Sequence, residues 1–410
     1  MTNDQNRMQD NKTLTVSPSV QWIGVLDHDI VTFDVVMETK HGTTYNSYFI
    51  NAQKKAIIET VKEGFWDVYL EKLKSVTDPA EIEYIILNHT EPDHSGCLIH
   101  LLKAAPNAKV VGTGNAIRYL KDMIYNDFQY IIVKDGYTLD LGDKTLQFIS
   151  APNLHWPDTM YTYLTDEKVL FTCDSFGAHY SHEAMFDDLV GDFDEDFKYY
   201  FDVILKPFSK FMLKAIDRIK LLDFKIIATG HGPILRENWQ KYVELSEKYA
   251  TEHLELPIKH KVFIPFVSAY HKTGLLAEKI GEGIRATGDI EVEILDIEKA
   301  TIGELDQKVS ESAAIIVGST TINQNILLPV YKLFSVINPL RDKGKFAGGF
   351  GSYGWSGESK ELIKSNLENL KLNYLAEGVF VKFTPDAEEQ QQAIDYGKAI
   401  GEALLAEPSK

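Results

Sequence analysis

Residues 88–96 read Asn88-His89-Thr90-Glu91-Pro92-Asp93-His94-Ser95-Gly96, directly after the apolar run Tyr84 to Leu87. The run predicts a buried strand, so four good metal ligands, His89, Glu91, Asp93 and His94, crowd the loop at its end. In an extended segment, positions two apart face the same way. His89, Glu91 and Asp93 therefore share one face, with His94 following where the chain turns. A loop-and-cap explanation requires one short polar side chain ahead of the helix-like run Cys97 to Lys103. It accounts for neither the histidines nor the glutamate, and metal binding is the better reading.

Three residues farther along extend the cluster. His155 lies in APNLHWPDT after the predicted strand Thr145 to Ser150, Asp174 ends a strand in VLFTCDSFG, and His231 ends another in IIATGHGP. Each alone reads as a loop histidine or a capping aspartate. Four strand ends carrying the same chemistry point instead to one sheet edge. Around them the pattern predicts strands in QWIGVL, IVTFDVVM and TTYNSYFI, and helices at Lys54 to Val61, Val68 to Ser75, Leu98 to Ala105 and Ala116 to Ile124. Further strands are predicted at Ala108 to Gly112, Tyr130 to Val133 and Tyr161 to Thr165. The mixture suits a layered α/β domain with its ligands on strand-end loops.

This spaced set, H-x-E-x-D-H followed by His155, Asp174 and His231, resembles the metallo-β-lactamase-like domain of flavodiiron proteins, the A-type flavoproteins. Zinc hydrolases of that fold usually have histidine where this chain has Glu91, and an oxygen ligand in place of imidazole favours iron over zinc. Carried over residue by residue, the resemblance implies one iron on His89, Glu91 and His155 and a second on Asp93, His94 and His231, with Asp174 bridging. His28 departs from the family, whose members often carry tryptophan in this early strand. His179 and His182 read as surface or packing histidines, with a role in orienting the metal ligands as their functional alternative. The acidic run Asp187 to Asp196 reads as a solvated loop, with a docking face for a basic electron donor as its alternative.

Composition sets outer bounds. The chain has 410 residues, enough for two or three domains, with 44% hydrophobic, 11% aromatic and 25% charged residues. No apolar run approaches the roughly 18 residues of a membrane helix. The polar start MTNDQNRMQDNK reads as a disordered tail on a cytoplasmic protein. A net charge of -18 disfavours nucleic acid or an anionic membrane as partner. The two cysteines, Cys97 and Cys173, cannot form a four-cysteine iron site, so electrons must come from a separate donor protein.

A helix-like stretch, Glu237 to His253, gives way to LELPIKHK, where Pro257 interrupts the pattern and places a domain junction near Leu256. Beyond it, strand-like runs at Val262 to Ser268, Val292 to Ile297, Ala314 to Gly318, Phe346 to Phe350 and Val379 to Phe383 alternate with helix-like segments. This predicts a doubly wound parallel sheet with its ligand beyond the strand C-termini. Three loops there are rich in small and hydroxyl residues: VSAYHKTG, GSTTINQN and GGFGSYGWSGE.

Together these loops resemble flavodoxin. The resemblance implies FMN held by Ser268, Tyr270, His271, Lys272 and Thr273 around the phosphate, with its ring between Ser319, Thr320, Thr321, Ile322 and Asn323 and Ser352, Tyr353, Gly354 and Trp355. His271 and Lys272 stand where glycine and asparagine are common, and Thr320 where proline is frequent. The whole chain thus resembles a flavodiiron protein: a metallo-β-lactamase-like αββα diiron domain over residues 1–256, then a flavodoxin-like FMN domain over 257–410. The implied activity is reduction of O2 to water, of NO to N2O, or both, in a head-to-tail homodimer or dimer of dimers. A zinc-dependent hydrolase fused to a flavodoxin-like domain and a non-catalytic electron-transfer flavoprotein are the alternatives.

Overall fold

A computed structural model describes residues 12–34, 37–255 and 260–406. The polar N-terminal stretch 1–11 and the expected junction near Leu256 lie outside them. Among the described residues the chain divides into two compact units: the first runs to Leu254, apart from Asp34 and Met37–Glu38, which group with the second, C-terminal unit that continues from Glu255.

The first unit is built on two sheets. One has seven strands, in the order β1 (Leu14–Ser17), β2 (Val20–Trp22), β3 (Tyr48–Ile50), β4 (Lys55–Ile58), β5 (Ile82–Ile86), β6 (Lys109–Gly112) and β7 (Tyr130–Ile132). The other has five, β8 (Thr138–Asp140), β9 (Thr145–Ser150), β10 (Met160–Leu164), β11 (Val169–Cys173) and β12 (Ile226–Thr229). Alternation along each strand sends one set of apolar side chains to the space between the sheets. Trp22, Tyr48, Ile50, Ala56, Ile58 and Val111 meet Phe148, Met160, Leu164, Val169, Phe171 and Ala228 there in one core. The opposite face of the larger sheet carries Phe49, Ile57, Ile85 and Val110, all buried, as are the inward residues Tyr69, Leu73, Leu101, Ile117 and Leu120 of the helices that follow.

One element differs in kind from the sequence expectation. Lys54 to Val61 is not a helix: Lys55–Ile58 is strand β4, antiparallel to β3 and parallel to β5. The run Ala56-Ile57-Ile58 is too short for periodicity to distinguish the two states. Both faces of β4 are buried, which is where adjacent β-branched residues pack well. TTYNSYFI also divides, into strands Thr43–Tyr45 and Tyr48–Ile50, because Asn46 and Ser47 turn their side chains to other partners. Within IVTFDVVM only Thr32–Phe33 and Met37–Glu38 are strand among the described residues. His28 lies just past the strand Val25–Asp27 and is exposed.

The second unit is a single parallel sheet. Its order is β14 (Glu291–Asp296), β13 (Lys261–Val267), β15 (Ala314–Thr320), β16 (Phe346–Tyr353), with β17 (Asn373–Tyr374) and β18 (Val379–Lys382) both pairing with β16. The fifth strand position is therefore filled by two short pieces. This is the flavodoxin-like order, and its switch point lies between β13 and β15. Alternate residues of β13 and β15 feed two cores: Phe263, Ile315 and Val317 on one side, Val262, Ile264 and Ile316 on the other.

Helices Lys272–Arg285 and Ala387–Ala406 approach closely because glycines face each other's backbone. A Cβ on Gly283 would lie 2.0 Å from the Ile394 carbonyl oxygen, and one on Gly397 would lie 2.1 Å from that of Ile280. Backbone cannot yield as a side chain end can, so Gly397→Ala should destabilise the second unit by about 1–3 kcal/mol. Urea unfolding followed by far-UV circular dichroism checks this. An unchanged midpoint would show that the helices separate freely.

Candidate metal centre and cofactor loops

The ligand-bearing loops meet because of strand direction. Strand β9 is antiparallel to β10 and β10 to β11, so β9 and β11 run the same way, and β12 is parallel to β11. His155, Asp174 and His231 thus all follow strands that end at one edge. Asn88 joins the other sheet to that edge: its carbonyl accepts from Met160 N at 2.9 Å and its side-chain oxygen from the Thr162 hydroxyl at 2.6 Å.

The loop after β5 differs from the extended geometry expected of it. Pro92 opens a helical turn, Pro92–Ser95, with Glu91 at its N-cap. Proline's fixed φ suits the first helical position. Strand-like alternation therefore stops at Glu91, and the turn carries Asp93 and His94 to the far side of Asp174.

Asp174 is the centre of the arrangement. Its Oδ2 lies 3.7 Å from Nε2 of both His89 and His155, and those two nitrogens lie 3.2 and 2.9 Å from Glu91 Oε2. Its Oδ1 lies 3.0 Å from His94 Nε2 and 3.4 Å from His231 Nε2, which flank Asp93 Oδ2 at 3.5 and 3.1 Å. All seven sequence-selected residues therefore converge, three on each side of Asp174. His155 and Glu91 are the most open, with side chains 22% and 16% exposed, so solvent reaches the centre from their side.

The backs of the ligands are held as firmly as their fronts. His231 Nδ1 lies 2.6 Å from the Thr44 carbonyl oxygen. Asn46 clamps its loop by donating to the Thr229 and Gly232 carbonyls, each at 3.0 Å, while accepting from Trp22 Nε1. Gly230 is glycine for want of space, since a Cβ would lie 2.9 Å from His94 Cε1. His89 Nδ1 is 3.2 Å from the buried carboxylate of Asp158. Tyr200 donates to Asp174 Oδ1 at 3.3 Å, and Glu59 accepts from Asn88 N at 2.7 Å. The sequence pattern did not single out Asp158, Tyr200 or Glu59. Asp158 carries one signal, its place three residues after His155; buried Tyr200 and Glu59 look like ordinary element-end residues.

Of the other histidines, His179 is buried, with Nδ1 2.9 Å from the Thr43 hydroxyl and its ring 5.4 Å from that of His231. His182 is exposed and accepts from Ala184 N. Both cysteines are buried and free of disulfides. The acidic run is not simply solvated. Asp187 is buried and accepts from the backbone N–H groups of Arg236, Glu237 and Asn238, while Asp188 pairs with the Arg236 guanidinium. Backbone donors ahead of a helix attract a carboxylate, which the local charge count could not reveal.

A cation fits this donor set. Both oxygens of Asp93 and Oδ2 of Asp174 are buried without a hydrogen-bond partner among the described residues, although imidazole nitrogens stand close by. Donors and acceptors that approach without hydrogen-bond geometry are aimed at a shared point between them. Such orphaned acceptors are costly unless something positive occupies that point. Burial opposes ionisation here, yet His94 and His231 hold Asp93 down at about 2. Against the same burial, Asp174 and Asp93 lift His231 to about 10.

In the second unit, register aligns the loops: Val267 pairs with Ser319, and Thr320 with Ser352. Thr273 Oγ1 joins all three, lying 3.1 Å from Thr320 Oγ1 and 3.0 Å from Ser352 Oγ. His271 takes the left-handed conformation (φ 61) just before the helix that begins at Lys272. The buried hydroxyl of Ser268 has no partner among the described residues. Tyr270 and Trp355 present flat rings, 78% and 87% exposed. A helix N-terminus with an unsatisfied hydroxyl suits a phosphate, and exposed rings suit a planar heterocycle, so these residues fit FMN.

Fold and site together define a metallo-β-lactamase-like metal domain joined to a flavodoxin domain. The model of the ODP family beta lactamase matches residues 43–232, and that of flavodoxin matches residues 264–397. A type A flavoprotein of Rhodobacter capsulatus is 38% identical over 95% of this chain and 91% of its own. A nitric oxide reductase of Moorella thermoacetica is 34% identical over 95% of this chain and 98% of its own. The solved rubredoxin oxygen:oxidoreductase of Desulfovibrio gigas superposes with a TM-score of 0.76 at 29% identity, covering 96% of this chain and 99% of that one. The chain belongs to the flavodiiron, or type A flavoprotein, family. It is an oxidoreductase whose cofactors are FMN and a diiron centre, and the relatives favour neither the hydrolase nor the carrier alternative.

Burial pushes the Glu59 carboxyl up from 4.5 to about 8, against the opposing pull of His94. Between those pH values the unfolded chain ionises Glu59 and the folded chain does not, so stability falls as pH rises through the window. Glu59→Gln keeps the acceptor for Asn88 N and removes the ionisation. In chelator-treated protein the variant should gain roughly 3–5 kcal/mol on wild type between pH 4.5 and 8. Thermal melts across pH check this, and a pH-independent difference would refute it.

Proposed function

We propose that the chain reduces O2 to water, NO to N2O, or both, at a pair of irons held by the seven converging residues. His89, Glu91 and His155 would hold one iron and Asp93, His94 and His231 the other, with Asp174, whose two oxygens face opposite triads, shared between them. The observation that carries this reading is the division of Asp174: Oδ2 faces one triad and Oδ1 the other. Relatives named for each reaction, a nitric oxide reductase and a rubredoxin oxygen:oxidoreductase, align over nearly the whole chain.

When bound, FMN would supply electrons singly or in pairs and the diiron centre would supply a redox-active site for a diatomic gas. Reduction of either gas also consumes protons, and two groups are placed to manage them. Tyr200 keeps its proton because burial and the Asp174 charge push its phenol well above its usual range, and its hydroxyl already donates to that carboxylate. His179 stays neutral because burial, and then His231, pull it well below the usual imidazole range. Its Nε2 is buried with no hydrogen-bond partner among the described residues, and its ring lies 5.4 Å from that of His231.

In the second unit Ser268, Tyr270, His271, Lys272 and Thr273 hold the FMN phosphate. The segments from Ser319 to Asn323 and from Ser352 to Trp355 flank the ring. The functional division falls at 1–256 and 257–410. Two copies pair head to tail, so that the FMN of one serves the irons of the other, and a separate protein of the cytoplasm supplies the electrons. Among the described residues no helix is long and apolar enough to cross a membrane.

Glu91→Ala and His231→Ala should each halve the iron per chain, retain FMN, and abolish turnover with both gases. Metal analysis, flavin absorbance and gas-electrode assays under one donor check this. Wild-type protein carrying zinc without iron, or reduced protein that O2 and NO oxidise no faster than free FMN, would overturn the reading.

A further inference from the structure

Asp158 belongs to neither the metal-facing set nor the flavin loops, yet it is fully buried beside one ligand. Its Oδ2 receives three groups: His89 Nδ1 at 3.2 Å, Thr90 N at 2.8 Å and the Thr90 hydroxyl at 2.8 Å. Its position is fixed from behind. The Asp158 carbonyl accepts from the Thr113 hydroxyl at 2.9 Å, and Thr113 in turn caps the helix Gly114–Met123. The neighbouring Trp156 ring packs edge-on against His89 at 5.0 Å.

On the other side, among the described residues, no carboxylate is hydrogen-bonded to the back of a ligand: Glu59 lies within 4.8 Å of His94 but accepts from Asn88 N instead. His231 Nδ1 rests on a neutral backbone carbonyl at 2.6 Å, and His94 Nδ1 faces the Cys173 thiol at 3.6 Å. Front-facing charge is balanced, one carboxylate per triad with Asp174 shared, so a carboxylate hydrogen-bonded to the far nitrogen of a ligand, found only behind His89 among the described residues, distinguishes the two positions. A carboxylate bonded to the far nitrogen of a metal-binding imidazole fixes its tautomer and makes it a stronger ligand.

We infer that Asp158 is a positioning residue for one metal only, holding His89 with Nε2 forward and making the His89–Glu91–His155 position chemically distinct from the Asp93–His94–His231 position. This rests on the ligand assignment proposed above. Asp158→Asn is nearly isosteric and retains an acceptor for Thr90 N, so it removes the charge with little change of shape.

The test uses 57Fe-enriched holoprotein of wild type, D158N, E91A and H231A, with Mössbauer spectra and iron release to a competing chelator. In D158N one iron should be held ~10–100-fold more weakly while the other is unaffected. The doublet that D158N preserves should match the one left by E91A and differ from the one left by H231A. Equal weakening of both irons, no weakening of either, or a preserved doublet matching that of H231A would overturn the inference. Wild type binding fewer than a pair of irons would instead defeat the ligand assignment. Should D158N not fold, Asp158→Glu retains the charge one methylene away and must perturb the same single doublet.

Discussion

The first unit depends on a buried carboxylate, Asp174, placed between two pairs of imidazoles. In water such a group is fully solvated; here nearly all of that solvation is lost, and only positive charge or well-aimed donors can replace it. The surrounding structure serves that requirement. Strand direction brings three of the loops to one edge, Asn88 joins the two sheets beside them, and Asn46 fixes the loop that presents His231. A cluster of acceptors whose lone pairs share a focus is stable as a site for cations and costly as anything else.

Much of the site was legible in the sequence because metal chemistry needs particular side chains, and these sit where apolar runs end. All seven converging residues were identifiable in that way. Less legible was which carboxylate belongs on which side. Alternation along a strand groups Asp93 with Glu91, but Pro92 starts a helical turn and moves Asp93 across to His231. The residues behind the ligands were less visible still. Asp158, Tyr200 and the Thr44 carbonyl touch ligands from 26 to 187 positions away, and no local pattern encodes a contact of that range.

The second unit shows the same split. Its alternation of apolar runs and helices implied a doubly wound sheet, and the order of its strands agrees. The pairing of two short pieces with β16 at the fifth position was not readable, since a two-residue strand leaves no periodic trace. The hydroxyl of Thr273, read as one of several phosphate contacts, is also the bond that ties the three loops together.

By itself the sequence determined the inventory: which residues carry chemistry, that they sit at strand ends, and that two differently patterned halves follow one another. Tertiary structure decided that Lys55–Ile58 is a strand, that Asp187 is buried beneath a helix start, and that one oxygen of Asp174 serves each triad. The reason is common to all three. Side-chain type is local information, whereas burial and direction are set by partners distant in the chain, and only the folded packing brings those partners into contact.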